Sequence, residues 1–349
     1  MKLYNLGKVS WKESQLIYHA LALCGKEALC LLSPASPYVC IGFHQDVTQE
    51  VDLEYCRQNH IPVFRREVGG GAVFLDGNQL FFQLILHRNS PHAPKQIDAF
   101  YRKFLQPIIN VHHRIGVPAT FKPVNDLVVR QRKISGTGAG EIGDSIVFVG
   151  NLILDFDYET MSRVLKIPDE KFRDKVKKSI EENLSTIGRE LGQESLNRWD
   201  ETTLNDLMSK EFEKILGPFT TGRMDAVLID KIQELKTTML NDRWLYRKAK
   251  QLTGRVVKVR AGLEMVQRMH KAAGGLIKTN FQIREGKLTN INITGDFFCF
   301  PHTLVQDMEK HLEGAALEDI RKIIMAVYDD SMNQIPGVTI EDWMTIIKK

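Results

Sequence analysis

Paired cysteines are missing from this 349-residue chain: Cys24, Cys30, Cys40, Cys56 and Cys299 show no C-x-x-C spacing, and an odd number cannot all pair within one chain. A reduced, cytoplasmic setting is the expectation. Excess charge of one sign is also missing, since the net charge is only +4. Nucleic-acid binding, which needs a clustered basic face, gains no support. No apolar run is long enough to span a bilayer, and the opening M-K-L-Y-N-L-G-K-V-S-W lacks the continuous apolar region of a signal peptide. Neither an internal repeat nor a low-complexity segment interrupts the chain. Three chemical signatures are absent too: G-x-x-x-x-G-K-[ST], G-x-S-x-G and H-E-x-x-H. Gly138, Gly140 and Gly143 do satisfy G-x-G-x-x-G, but a strand-like S-I-V-F-V from Ser145 follows where a dinucleotide fingerprint requires a helix.

What the chain does hold is R-R-E-V-G-G-G-A-V-F-L-D from Arg65 to Asp76. Three successive glycines are costly to order, so something must approach that backbone closely. The adjacent guanidinium groups match carboxylates and phosphates. Around this stretch, helical spacing marks 14–22, 52–59 and 97–115, with Pro107 placed to kink or break the last. Short strands are predicted at 28–32, 38–42 and I-P-V-F, and a hairpin joins 72–74 to 79–86 through Asp76-Gly77-Asn78. His112 and His113, adjacent on a helix, cannot share a metal and read as one packed and one solvated residue. Strands at 127–130 and 146–155 flank a glycine-rich loop, K-I-S-G-T-G-A-G-E-I-G, and charged helix fills 168–191. Further helices are predicted at 195–216 and 225–250, then short strands (V-V-K-V, L-I-K-T-N-F-Q-I, N-I-N-I-T) and helices at 304–312 and 317–328. The length and this change of pattern predict an α+β protein with a larger unit over 1–240, a connector over 241–253 and a small unit over 254–349. In the small unit Asp296 is the main chemical group.

Lys133 stands just before the second glycine-rich stretch, where its ammonium would face backbone N–H groups suited to oxyanions. If 127–130 forms a strand that turns back at Gln131-Arg132, Asp126 meets Lys133 across it, fixing the ammonium's direction and its charge. Taken alone, such a pair is an exposed contact worth about 0–1 kcal/mol. Two glycine-rich stretches, one with an arginine pair and one with a lysine, describe a site for a phosphorylated or carboxylated ligand.

These segments, with P-Y-V-C-I-G-F-H-Q upstream, V-G-N-L-I-L-D-F, and G-L-I-K-T-N-F-Q-I-R-E-G-K-L-T-N-I-N-I-T-G-D-F-F near the end, resemble the lipoate-protein ligases, relatives of the biotin ligases. The resemblance covers most of the chain in the family's order. It implies a mixed sheet packed by helices plus a small accessory domain. It also implies two steps: ATP and lipoate give lipoyl-AMP and pyrophosphate, then a lysine of a lipoyl domain attacks and AMP leaves. By the same resemblance Lys133 is the catalytic lysine and Asp126 its aspartate. Arg66 and the Gly69, Gly70 and Gly71 backbone would hold carboxylate and phosphate, Val73 would line the dithiolane slot, and Asn125 would join Asp126 beside the substrate. Ser135, Gly136 and Ala139 would lie along the adenylate, with Gly150 close to it. Arg65 is expected to be structural or to pair with Glu67. Mg²⁺ would screen the triphosphate, and no dedicated protein metal site is expected. The implied acceptors are lipoyl domains of 2-oxoacid dehydrogenase acyltransferase subunits or glycine-cleavage H-protein-like carriers, with the Lys171–Lys178 face as a candidate dock. No nucleic acid or membrane is expected, and the chain is expected to be a monomer.

The chain departs from the family's usual pattern at Val68, where serine or threonine is common, and in S-G-T-G-A, where S-G-x-A is usual. The stretches where related octanoyltransferases carry a nucleophilic cysteine, 119–126 and the S-G-T segment, hold none. Cys40 reads as a small buried apolar residue. The competing readings are a cysteine-independent octanoyl or lipoyl transferase, a non-catalytic lipoate-binding scaffold, and a biotin ligase, whose G-R-G-R-x-G is absent.

Overall fold

A computed structural model describes residues 1–167, 169–249, 258–260, 263–330 and 332–347. In chain order the strands are β1 (Lys2–Val9), β2 (Ala28–Pro34), β3 (Tyr38–Ile41), β4 (Val63–Arg65), β5 (Val73–Leu75), β6 (Gln79–His87), β7 (Thr120–Lys122), β8 (Asp126–Val129), β9 (Arg132–Ser135), β10 (Thr137–Ile142), β11 (Ser145–Ile153), β12 (Thr220–Thr221), β13 (Lys258–Arg260), β14 (Leu263–Ala272), β15 (Gly275–Arg284) and β16 (Lys287–Gly295). They form a six-stranded mixed sheet, β10-β11-β6-β2-β1-β12, a four-stranded sheet, β13-β14-β15-β16, and two three-stranded sheets, β4-β3-β5 and β7-β8-β9. The α+β expectation holds.

β2 and β6, at the centre of the six-stranded sheet, are buried on both faces. Phe82 and Phe148, pointing to one side, meet Phe104 and Phe212 of the helices Ile97–Arg114 and Glu201–Leu216. On the other side Gln83 meets the helix Trp11–Leu23, whose start is fixed by a Ser10–Glu13 capping box. Tertiary packing overrides the proline here: Pro107 is buried inside the helix Ile97–Arg114, which runs through it. His112 is buried and His113 exposed, as their adjacency requires.

Several local expectations change. The 72–74 and 79–86 segments are strands but do not pair with each other; β5 joins β3, while β6 lies between β2 and β11. The Asp-Gly-Asn turn hands the chain from one sheet to another. The second glycine-rich stretch is not a loop: its residues form β9 and β10, and β10 pairs with β11 along its whole length. The 168–191 stretch breaks into Glu170–Phe172, Arg173–Asn183 and Ile187–Leu191, and 195–216 and 225–250 are each divided too. β1 has no clear pattern in the sequence because it is mostly half-exposed, with a bulge between Asn5 and Gly7.

A second core gathers residues from Val266 to Ile347, including Phe281, Phe297 and Trp343. Phe298 and Phe300, next in sequence to it, belong instead to the first core. Of the expected connector, 250–253 lie outside the described residues, as do 256 and 257 of V-V-K-V.

Candidate active site

β8 turns into β9 through Arg130 and Gln131, both in the left-handed region with φ of 48° and 67°. Such a pair of residues makes the tight hairpin turn that matches strand twist. The ladder beyond it is irregular between Leu127 and Val128. Within this hairpin Lys133 Nζ lies 2.7 Å from Asp126 Oδ1, with the two side chains 38% and 32% exposed. The backbone of Lys133 is anchored in turn, its carbonyl accepting from Ser185 N at 2.8 Å. The cation is therefore aimed by a carboxylate yet reachable. The lysine-rich face behaves differently. Lys171, Lys177 and Lys178 pair locally with Asp169, Glu159 and Glu182.

The two arginines divide their labour. Arg65 is fully buried and donates to the carbonyls of Gly42, Phe43, Gln45, Trp244 and Leu245. Its partners are backbone, not Glu67, which corrects that expectation. A planar five-donor fork satisfies several convergent carbonyls that no ammonium could match. Burial, helped by nearby Arg247, lowers its pKa to about 9. Arg66 reaches the site side. Its Nη2 donates to Gly69 and Gly71 carbonyls at 2.7 and 2.9 Å, holding the glycine turn in shape. Cys40, buried behind it with Sγ 3.6 Å from Arg66 Nη1, is pushed up by burial and stays a thiol. Glu67 is raised to about 7 by burial. Its backbone N–H donates to Nε2 of buried His19, whose Nδ1 faces the Gln15 carbonyl at 2.7 Å.

Between these walls lies a cavity of about 420 Å³, a size suited to a small-molecule ligand. Lys133, Asp126, Asn125 and Gly136 line it, together with Arg66, Gly69, Gly70 and Gly71. Asn125 is held by its side-chain N–H to Thr137 O at 2.6 Å. Val73, Phe81, Gln83, Val149 and Gly150 also face the space. Ser135 and Ala139 sit behind the wall: Ser135 Oγ donates to Asn151 O at 2.6 Å, and Ala139 N donates to Tyr101 Oη at 3.0 Å, both residues buried.

The remaining wall comes from the small unit. Lys271, the Gly274-Gly275 turn, Asp296 and Phe298 line the same cavity. This contact explains three of the glycines. A Cβ at Gly69 would lie 2.5 Å from Phe297 O, one at Gly70 would lie 2.9 Å from Phe298 Cζ, and one at Gly138 would lie 2.8 Å from Phe298 Cε1. Gly71 alone of the triplet has room, its nearest neighbour being Asp296 at 3.7 Å. Gly150 is required by the sheet itself, since a Cβ there would collide with the Phe82 ring. Gly70 N also donates to Phe297 O at 3.2 Å, and Lys248 pairs with Glu309 at 3.0 Å across the same junction.

Residues 10–213 match the family described as the lipoyl protein ligase A/B catalytic domain, and 265–347 match the bacterial lipoate protein ligase C-terminus. The chain belongs to the lipoyl protein ligase A/B family. This family member is accordingly an enzyme, with both of the family's regions in order. It is 29% identical over 306 residues to lipoate–protein ligase 1 of Staphylococcus aureus, covering 86% of this chain and 84% of that protein. It is 27% identical over 321 residues to the lipoate-protein ligase LplJ of Bacillus subtilis, covering 89% and 88%. Among solved structures, the bipartite lipoate protein ligase of Thermoplasma acidophilum superposes with a TM-score of 0.63 at 23% identity, over 72% of this chain and 98% of that one. P. falciparum LipL1 in complex with lipoate gives 0.69 at 16% identity, over 94% of both chains. At such identities the structures speak to the fold of this ligase family member.

Sequence reasoning missed Gln15, Tyr18, Gln83, Lys271 and Phe298 on the cavity wall. For Gln83 a signal exists: an amide at an alternate position of the otherwise apolar strand L-F-F-Q-L-I-L. Phe298 follows Asp296 in G-D-F-F, but nothing local tells that its ring leaves its own core.

Proposed function

We propose that this protein is an ATP-dependent lipoate–protein ligase acting at the Lys133–Asp126 cavity. The observation that carries the reading is the aimed ammonium of Lys133 lining the same cavity as Arg66 and the Gly69–Gly71 triplet, in a chain similar to lipoate–protein ligases. In the first step a lipoate carboxylate oxygen attacks the α-phosphorus of ATP, and pyrophosphate leaves. In the second the amine of an acceptor lysine attacks the acyl carbon, loses its proton, and AMP departs with the bridging oxygen. Both steps concentrate negative charge at the same phosphate. A preoriented cation in a cavity shielded from water stabilises that charge more than one in bulk solvent does. Lys133 fills this role in both half-reactions, and Asp126 keeps it aimed.

Arg66 holds the glycine turn whose open member, Gly71, lets phosphate or carboxylate approach the backbone. Asn125 and Gly136 border the nucleotide, and Val73, Phe81 and Val149 receive the acyl tail. Mg²⁺ enters as a counter-ion of the triphosphate. No group of three His, Cys, Asp or Glu side chains gathers around a cation among the described residues, and Mg²⁺ commonly relies on one or two carboxylates plus substrate phosphates. Asp296, on the cavity wall, would supply one such carboxylate. The acceptor is a lipoyl domain, as in the Thermoplasma acidophilum lipoylation system of a bipartite lipoate protein ligase and its E2 lipoyl domain; 2-oxoacid dehydrogenase acyltransferases and H-protein-like carriers present this lysine. The protein acts as a cytoplasmic monomer. Pyrophosphate release that needs both ATP and lipoate, with an acceptor mass gain of one lipoyl group, is the expected result. Octanoyl transfer from a carrier protein without ATP would overturn the reading.

A further inference from the structure

We propose that Lys271, carried by the small unit, is the cation that receives the β- and γ-phosphates of ATP and the pyrophosphate they become. The proposal deepens the ligase reading above and rests on it.

Five charged side chains line the cavity: Arg66, Asp126, Lys133, Lys271 and Asp296. Their hydrogen bonds decide which are left for a ligand. Arg66 is spent on its own wall: Nε and Nη2 donate to the Gly69 and Gly71 carbonyls, and Nη1 to the carbonyl and Sγ of Cys40. A guanidinium has five N–H groups, and these contacts use them all. Lys133 gives one of its three donors to Asp126. Lys271 gives none. Its side chain is exposed, lines the cavity, and has no hydrogen-bond or ion-pair partner among the described residues.

The hairpin that carries Lys271 is braced. Lys271 stands in β14 opposite Leu276 of β15. Leu276 N donates to the Asp296 side chain, and Asp296 N donates to the Leu276 carbonyl at 3.1 Å. The tip between the strands is fixed as well: Gly274 N donates to Gly337 O at 2.7 Å, and a Cβ at Gly274 would collide with Pro336 O. Lys271 and Asp296 therefore come to the cavity from either side of Leu276 on one edge of the small unit.

The order of bond changes says what such a cation meets. Attacking and leaving oxygens lie roughly in line at phosphorus, so an acid that enters along Val73, Phe81 and Val149 expels pyrophosphate away from that apolar slot. The bond from the acid oxygen to the α-phosphorus forms as the bond to the bridging oxygen breaks. That oxygen leaves on pyrophosphate with the electron pair, and no proton moves. The α-phosphate, served by Lys133, takes part in both half-reactions; the β- and γ-phosphates take part only in the first. A compact ammonium with three free donors suits their oxygens. The Asp296 carboxylate, which alone repels phosphate, is compatible with the same chain through the Mg²⁺ counter-ion proposed above.

The test compares wild type with the near-isosteric Lys271→Met and the charge-retaining Lys271→Arg. Three quantities are measured: lipoate-dependent pyrophosphate release against ATP concentration, inhibition of that release by added pyrophosphate, and transfer from supplied lipoyl-AMP, which lacks both terminal phosphates. Lys271→Met is expected to lose about tenfold in kcat/KM for ATP and to bind pyrophosphate about tenfold more weakly, with transfer kept within about twofold of wild type. Lys271→Arg should keep more of the first two than Lys271→Met. An unchanged kcat/KM for ATP or unchanged pyrophosphate inhibition in Lys271→Met, or an equal loss in transfer from lipoyl-AMP, overturns the inference and leaves the ligase reading standing. Absence of pyrophosphate release by wild type with ATP and lipoate overturns the ligase reading itself, and the inference with it.

Discussion

The two walls of the cavity are built in opposite ways. The Lys133 wall is continuous with the main core: its hairpin closes within ten residues, and Ile134 and Leu127 are fully buried in it. The Phe298 wall arrives from more than a hundred residues away and is held by glycine-to-aromatic contact, backbone hydrogen bonds and a few ion pairs. On the proposed reading the reacting groups sit on the first wall, and the second is docked against it. This division predicts that damage to the first removes the reaction, while damage to the second alters one half-reaction and can be repaired across the junction.

The largest effect belongs to Lys133→Ala. A preorganised charge of this kind is worth about 10²–10³ in rate, so pyrophosphate release should fall by that factor. The melting temperature should change little, because the side chain is more than one-third exposed. Arg65→Leu breaks the comparison from beneath. It strips the donors from five carbonyls, three of them in buried contacts, and unfolding in urea should show a loss of about 3 kcal/mol. Gly138→Ala puts a methyl group against the Phe298 ring, and adenylate formation should drop by about tenfold. Transfer from supplied lipoyl-AMP should suffer less. Adding Phe298→Ala should restore the double variant to the level of Phe298→Ala alone. Gly69→Ala should not be rescued in this way, because its methyl meets the Phe297 backbone.

The smallest effect is in pH. Burial lowers His19 to about 4 and raises Glu67 to about 7. For His19 the unfolded chain binds the proton first, so its contribution is present above pH 6.5 and is lost as pH falls toward 4. For Glu67 the folded chain keeps the proton longer, so that contribution is present below 4.5 and is lost as pH rises through 7. Unfolding in urea should show Glu67→Gln gaining about 1 kcal/mol over wild type on going from pH 5 to pH 6.

Much of the first wall was legible in the sequence, because its information is local. Asp126 and Lys133 lie seven residues apart with one strand and a turn between them, and the arginine pair is contiguous with its glycines. The second wall was not legible. Gly-Gly-Gly announces that something approaches the backbone but not whether it is a ligand or another part of the chain; for Gly69 and Gly70 it is Phe297 and Phe298. The strands around Asp76-Gly77-Asn78 follow the same rule. Their existence was encoded locally, but their partners were chosen by sheets that form at long range.

The proposed reaction turns on activation of the acid as an adenylate at the Lys133 wall. Lipoate labelled with ¹⁸O in its carboxylate, supplied with ATP and a lipoyl domain, tests it most directly. One labelled oxygen should appear in AMP and none in pyrophosphate. Lipoylated acceptor formed with unlabelled AMP would contradict the account.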